Sequence, residues 1–156
     1  MEERTVGDPL EVAQENARRK ARAVDGELVV GVDTVVALDD RILPKPHDAA
    51  QAREWLRALS GRTHGVVGGL CVVRAGREQV VVEVTEVTFR ELVEDDVAWY
   101  VASGEWEGKA GGYAIQGRGA ALVERIAGDY LNVVGLPLAA LMRLVPELLQ
   151  MRGFRA

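Results

Sequence analysis

The sequence ELVVGVDTVVALDDRILPKP occupies residues 27–46 and gives the clearest indication of how the chain folds. Apolar residues at 28–30 and 35–36 surround Gly31 and Asp33, which predicts a strand with one acid inside it. A carboxylate among valines is costly unless something compensates for it, so Asp33 indicates a metal, a cation or catalysis. The alternative is a structural role, in which Asp33 accepts hydrogen bonds from backbone amides at a β-bulge beside Gly31.

Lys45 follows this strand on a loop that two prolines restrict. A turn is predicted at residues 39–40, after which the chain leads into Pro44-Lys45-Pro46. Proline fixes its own φ and limits the residue before it, so the backbone around Lys45 has few conformations. The sequence therefore predicts one acid in a strand and one lysine on a stiff loop close after it.

The composition is that of a globular protein, with 156 residues, 48% hydrophobic and 28% charged. This length suits a single domain over residues 1–156 with a real core. No apolar run is long enough to cross a bilayer, and the acidic, polar N-terminus does not resemble a signal peptide. A single cysteine, Cys71, excludes an internal disulfide framework, and a reducing cytoplasm is the simplest setting.

The charge of the chain narrows the class of partner. A net charge of −5 argues against a protein that coats DNA or RNA. It leaves open a small anionic ligand held in a local basic pocket.

Two helices are predicted around the 27–46 segment. Asp8 and Pro9 begin the first, whose apolar stripe is bordered by Lys20 and consists of residues 10, 13, 17, 21 and 24. Lys20 has a structural alternative, a side chain that follows the edge of the stripe into water. Asp48 begins the second helix. Arg62 comes just after the end of this helix, and its structural alternative is a side chain that offsets the helix dipole.

The remaining elements complete a mixed α/β domain. Residues 65–90 predict a long hairpin with its turn at 74–77, followed by a helix at 93–103 and a strand at 120–126. Pro137 begins a last helix, which Pro146 interrupts and restarts. His47 and His64 are expected in surface loops. No pair of histidines or cysteines has the spacing of metal ligands, which argues against a zinc site.

Residues 104–119, GEWEGKAGGYAIQGRG, hold six of the 17 glycines, together with Lys109 and Gln116. Glycine at this density indicates tight turns or the close approach of a ligand. The pattern is neither GxGxxG nor a Walker loop, so generic phosphate-loop motifs do not apply. The alternative is a flexible surface loop.

Five segments keep one order along the chain: GVDTVV at 31–36, LPKP at 43–46, LSGRTH at 59–64, GKAGGYAIQG at 108–117, and GDY with NVVGLP at 128–137. They resemble the motifs of the Maf family, which include GADT, a Lys-Pro loop, LSGRTH and KAGAYGIQG. Each motif alone is weak. Together they cover nearly the whole chain, and the resemblance is specific.

This resemblance implies a fold related to the inosine triphosphatase superfamily, with a long twisted mixed sheet flanked by helices. It also implies a nucleoside triphosphate pyrophosphatase that releases the monophosphate and pyrophosphate with Mg²⁺ or Mn²⁺. Asp33-Thr34 and Gln116 resemble the branch acting on dTTP and UTP, rather than the 7-methyl-GTP branch. The family is linked to septum formation and to the removal of non-standard nucleotides.

With the resemblance, the candidate residues receive roles as a hypothesis, including Lys20, which lies outside the five segments. Asp33 would be the general base and a metal ligand, while Thr34 and Gln116 would contact the pyrimidine or its sugar. The triphosphate would be surrounded by four cations, Lys20, Lys45, Arg62 and Lys109. The implied partner is a nucleoside triphosphate, without a nucleic acid polymer or a membrane, and the valine-rich hairpin is a candidate surface for a homodimer.

One family feature, a Ser-x-Ser-x-Arg-Arg loop that grips phosphate, has no counterpart in this sequence. Glu2 stands near a position where the family has a metal ligand. Because the loop that grips phosphate has no counterpart here, we expect weakened or absent catalysis. Two alternatives follow: a nucleotide-binding protein without turnover, and the same chemistry on another modified nucleotide.

Overall fold

The computed structural model describes residues 2–150 and contains one five-stranded sheet in the order β2-β1-β3-β4-β5. The strands are β1 (Leu28–Leu38), β2 (Arg41–Ile42), β3 (Thr63–Arg74), β4 (Arg77–Phe89) and β5 (Val123–Ala127). The predicted mixed α/β class is confirmed. The sheet differs in one respect from the expected mixed sheet, because every strand pair in the described part of the chain is antiparallel.

Tight turns explain the antiparallel pairing at both hairpins. Asp39 and Asp40 join β1 to β2 with φ of 51° and 61°, and Ala75 and Gly76 join β3 to β4 with φ of 48° and 77°. Two successive residues of positive φ give the turn whose twist matches that of the flanking strands. The predicted hairpin over residues 65–90 is therefore confirmed.

Within the described residues, five α-helices flank this sheet: α1 (Pro9–Arg22), α2 (Ala49–Leu59), α3 (Glu94–Ala102), α4 (Tyr130–Val134) and α5 (Leu138–Leu144). The predicted starts of α1 and α2 are confirmed. Asp8 Oδ1 accepts from Leu10 N at 3.0 Å, and Asp48 Oδ1 accepts from Gln51 N at 2.7 Å. Short 3₁₀ helices occur at Ala110–Gly112, Gly117–Leu122 and Pro146–Gln150. Helix α5 therefore ends before Pro146 and a new helical turn begins at this proline, as expected. The predicted strand at 120–126 begins only at Val123.

Helix α1 lies directly on the sheet at Gly31 and Gly69. A Cβ at Gly31 would lie 2.2 Å from Ala17 O, and one at Gly69 would lie 2.2 Å from Ala13 O. Only glycine allows backbone to approach backbone this closely. The close contact fixes the height of α1 above β1.

The predicted stripe of α1 needs correction at its ends. Leu10 and Val24 are exposed to 45% and 59%, whereas Val12 and Asn16 are buried. Leu10 lies in the first turn and Val24 lies beyond the last helical residue, so neither covers the glycine contact. The alanines at 13, 17 and 21 are buried as predicted.

On the other face of the sheet, α2 and α3 cover the main apolar core, to which Val36, Val66 and Phe89 contribute from the strands. Helix α5 covers a second cluster around Leu70 and Val72. Within residues 2–150, no helix combines the length and the apolar character needed to span a bilayer.

Candidate functional site

A cavity of about 270 Å³ brings together residues from six separate parts of the chain. We call it the Asp33 cavity. Every predicted site residue except Arg62 lines it, namely Lys20 of α1, Asp33 and Thr34 of β1, Lys45, Lys109 and Gln116. A buried acid and three lysines therefore face one space.

The loop that carries Lys45 is held at Leu43 by two backbone hydrogen bonds. Leu43 N donates to Val36 O at 2.8 Å, and Gly111 N donates to Leu43 O at 2.8 Å. Gly111 has a φ of 71°, and a Cβ there would lie 2.8 Å from Val36 Cγ1. The glycine-rich segment is thus fastened to β1 by close packing, which explains part of its glycine content and contradicts the flexible-loop alternative.

Asp33 is only 5% exposed, and its partners are side chains. Lys20 Nζ donates to Asp33 Oδ1 at 2.7 Å, and Asn16 Nδ2 donates to Asp33 Oδ2 at 3.0 Å. The β-bulge alternative required backbone amides instead. The structure therefore places Asp33 in a charged network rather than in a local backbone motif.

Glu3 joins two lysines of this network. Lys20 Nζ lies 2.8 Å from Glu3 Oε1, and Lys45 Nζ lies 3.0 Å from Glu3 Oε2. The hydrogen bond from Lys20 is the largest cause that holds the pKa of Glu3 below its ordinary value, against the opposing effect of burial. Burial alone would lower the pKa of Lys20, but its hydrogen bonds to Asp33 and Glu3 outweigh this and raise it. Lys20 is therefore a charged ammonium shared by two carboxylates.

Arg62 is not brought to the Asp33 cavity. Its guanidinium is half-exposed and pairs with Asp39 in the β1–β2 turn, just before β3 begins at Thr63. The expected role of Arg62 at the triphosphate is therefore not supported, because its side chain lies at the β1–β2 turn and not with the three lysines of the Asp33 cavity.

Sequence reasoning missed Glu3 and Asn16. Glu2 was expected near the metal, but the structure leaves Glu2 exposed and places the next carboxylate, Glu3, against the lysines. Asn16 lies four residues before Lys20 on a helix, so the spacing placed both on one face. That spacing was the available signal for Asn16.

The expectation that His64 is a surface loop residue is wrong. His64 lies in β3, is 2% exposed, and its Nε2 lies 2.6 Å from Tyr113 Oη. Strand alternation places it on the same face as Val66, where it packs edge-to-face on Phe89. Because Tyr113 also lines the Asp33 cavity, the pair anchors one wall of it.

Burial lowers the pKa of His64 from 6.5 to about 4, so the folded protein holds it neutral. The unfolded chain takes up this proton below about pH 6.5, and the folded protein only near pH 4. The contribution to the free energy of unfolding is thus fully present above pH 6.5 and is lost as the pH falls, by about 3 kcal/mol in total. Urea unfolding between pH 4 and pH 7 measures this loss.

The matched control for this prediction replaces His64 and Tyr113 together by phenylalanine. Removing both partners leaves neither one buried and unpaired. The slope of stability against pH should be shallower in this variant. Equal slopes in the two proteins would show that His64 is not held neutral.

Asp33 and Glu3 are the two carboxylates beside the lysines that could hold a divalent metal. Among residues 2–150, no group of three or more His, Cys, Asp or Glu side chains is arranged to hold a metal by itself. Asp33 and Glu3 nevertheless share one cation, the ammonium of Lys20. Mg²⁺ is commonly bound by one or two carboxylates with substrate oxygens and water completing its shell, which matches this pair.

Comparison with known proteins adds independent information. The family described as "Maf-like protein" matches residues 1–148. A "dTTP/UTP pyrophosphatase" of Pyrococcus furiosus is 46% identical over 144 residues, which cover 88% of this chain and 75% of the relative. Proteins of the same name from Deinococcus radiodurans (49% over 142 residues, 88% and 73% covered) and Pyrococcus horikoshii (46% over 149 residues, 92% and 80% covered) are similarly close.

Proposed function

This chain belongs to the Maf family, and we propose that it is a nucleoside triphosphate pyrophosphatase that hydrolyses dTTP or UTP to the monophosphate and pyrophosphate. One observation carries the proposal: Asp33 and three lysines open into the same cavity. The names of relatives 44–49% identical to this chain supply the nucleotide class.

The lysines suit a triphosphate, which carries several negative charges. An ammonium has three N–H donors, and Lys20 uses two of them on Asp33 and Glu3. Its third donor remains for a phosphate oxygen. Lys45 and Lys109 are exposed and line the same cavity, so their ammonium groups can reach the phosphates of a bound nucleotide.

Asp33 is the group best placed to act as general base. It is the only carboxylate among the buried residues of the described chain, and its two oxygens are fixed by Lys20 and Asn16. A carboxylate held in this way can accept the proton of a water that attacks the α-phosphorus. The lysines then offset charge on the phosphate oxygens, and fixed donors of this kind are each worth roughly 10²–10³ in rate.

We propose that Asp33 and Glu3 hold Mg²⁺ or Mn²⁺ together with the substrate. The bound ion would supply neutralisation of phosphate charge. Thr34 and Gln116, which line the same cavity, would contact the pyrimidine or its sugar through a hydroxyl and an amide. We also place the activity in the cytoplasm and retain a homodimer as part of the proposal, with sedimentation as the test of the latter.

The proposal is tested by pyrophosphate release with Mg²⁺ from a panel of dTTP, UTP, CTP, ATP, GTP and 7-methyl-GTP. Hydrolysis of dTTP and UTP in preference to the purine nucleotides is expected. Preference for another nucleotide would change the proposed substrate and leave the proposed reaction unchanged. Failure to release pyrophosphate from any of them would remove the proposed activity.

A second function, nucleotide binding without turnover, is favoured by one observation. In the part of the chain that the structure describes, no arginine lines the Asp33 cavity, and two of its lysines are already paired with carboxylates. Calorimetric binding of dTTP without pyrophosphate release would support this alternative.

A further inference from the structure

We propose that Asn16 is the positioning residue that fixes Asp33 and Glu3 relative to one another. The expected effect of Asn16 on catalysis rests on the proposed function, whereas its role in anchoring the segment that carries Glu3 does not. Asn16 is 3% exposed on the sheet-facing side of α1, among alanines and Val12. A buried amide needs hydrogen-bond partners, and those of Asn16 are specific.

The Asn16 amide makes three hydrogen bonds. Nδ2 donates to Asp33 Oδ2 at 3.0 Å and to Arg4 O at 2.9 Å, while Oδ1 accepts from Arg4 N at 2.9 Å. The opposite amide orientation would direct an oxygen at a carboxylate and a carbonyl, and an NH₂ group at an N–H. The surroundings therefore admit one orientation, in which both amide hydrogens are used.

The first consequence concerns Asp33. Lys20 holds one carboxylate oxygen and Asn16 holds the other, so the carboxylate plane is fixed from both sides. Each oxygen retains a further lone pair to accept a proton or a metal. Asn16 contributes this alignment without adding a charge to the cavity.

The second consequence concerns Glu3. Residues 2–6 form no helix or strand, and Asn16 binds both the N–H and the C=O of Arg4, the residue next to Glu3. Without this anchor, Glu3 would be held by ion pairs to Lys20 and Lys45, whose side chains are 31% and 52% exposed. Ion pairs with partly exposed lysines are weak, so the amide is the stronger restraint on the segment.

The test compares Asn16→Leu, which removes all three hydrogen bonds, with Asn16→Asp, which keeps only the acceptor for Arg4 N–H. The first readout is hydrogen exchange of the Arg4 amide by NMR, which requires no activity. Exchange should accelerate at least tenfold in Asn16→Leu and less in Asn16→Asp, which keeps the acceptor for Arg4 N–H but turns a carboxylate oxygen toward Asp33 Oδ2 and Arg4 O. The second readout is kcat, which should fall at least tenfold in both variants, because both lose the donor to Asp33, with a smaller change in KM.

Val12→Ala is the matched control, since Val12 lies one turn away on α1, is fully buried in an apolar cluster, and has no side-chain group that could join these hydrogen bonds. It should lower the melting temperature while keeping slow Arg4 exchange and kcat. Unchanged Arg4 exchange in Asn16→Leu would overturn the anchoring role. Full kcat in both Asn16 variants would overturn the positioning role.

The two proposals fail separately. If the unmodified protein hydrolyses no nucleotide, the proposed function is lost, and the Arg4 amide still decides whether Asn16 anchors the segment that carries Glu3. If the unmodified protein is active and the Asn16 variants match it, only the role of Asn16 is lost.

Discussion

Asp33→Asn is expected to lower kcat/KM for dTTP or UTP by roughly 10³-fold while the fold remains intact. Asparagine has the shape of aspartate but accepts no proton from water at neutral pH. Its amide can still accept from Lys20, at the cost of facing the Asn16 donor with a second donor. Lys20 is partly exposed and keeps Glu3 as a partner, so its charge is not left buried and unpaired, and the change in stability should be no more than about 2 kcal/mol.

Nucleotide binding by Asp33→Asn shows whether a loss of activity comes from the missing base or from a disrupted cavity. Asp33 repels phosphate, so metal-free binding of dTTP should be retained or tightened in Asp33→Asn. Steady-state kinetics and calorimetry on the same sample measure the two effects. Loss of binding and activity together would indicate a collapsed cavity rather than a missing base.

Asp39→Asn is the matched control for Asp33→Asn. It makes the same chemical change at an exposed turn residue that pairs with Arg62, away from the Asp33 cavity. Asp39 has a φ of 51°, a conformation that asparagine also tolerates. Activity should stay within about twofold of the unmodified protein, which corresponds to about 0.4 kcal/mol. Full activity of Asp33→Asn would remove Asp33 from the mechanism.

The sequence predicted best those features that a few neighbouring residues determine. The caps at Asp8 and Asp48, and the hairpin turn at Ala75-Gly76, depend on local backbone chemistry and were recognisable without tertiary information. The convergence of Lys20 and Lys45 on Asp33 depends instead on three separated segments. Only the resemblance to a family placed these residues together before the structure did.

The misses have a common physical origin, since each depends on which side of an element a residue faces. His64 was assigned to a loop because β3 was expected to begin at residue 65, and beginning it at Thr63 places the imidazole in the core. Arg62 is one residue before that strand and points to Asp39. Asn16 was passed over as a polar residue of α1, although its helical spacing from Lys20 places it beside Asp33.

The glycine contact under α1 connects the fold to the site, and it predicts a large effect for Gly69→Ala. Gly69 is the register partner of Asp33, and its added Cβ would lie 2.2 Å from Ala13 O and 2.5 Å from Ala13 C. These atoms belong to helix backbone, so they cannot rotate away as a side chain would. We expect a loss of roughly 3 kcal/mol in the free energy of unfolding, or failure to fold.

The same substitution should impair activity beyond its effect on stability, because α1 carries Lys20 and Asn16. Urea unfolding gives the folded fraction, and kcat/KM corrected for it should still fall at least tenfold. Gly65→Ala on the same strand is the control, since the nearest atom to its Cβ, Ala37 O, is 3.9 Å away. Its stability should change by less than about 1 kcal/mol. If Gly69→Ala proved as stable and as active as Gly65→Ala, α1 would not rest on the sheet at this glycine, and the placement of Lys20 beside Asp33 would need another cause.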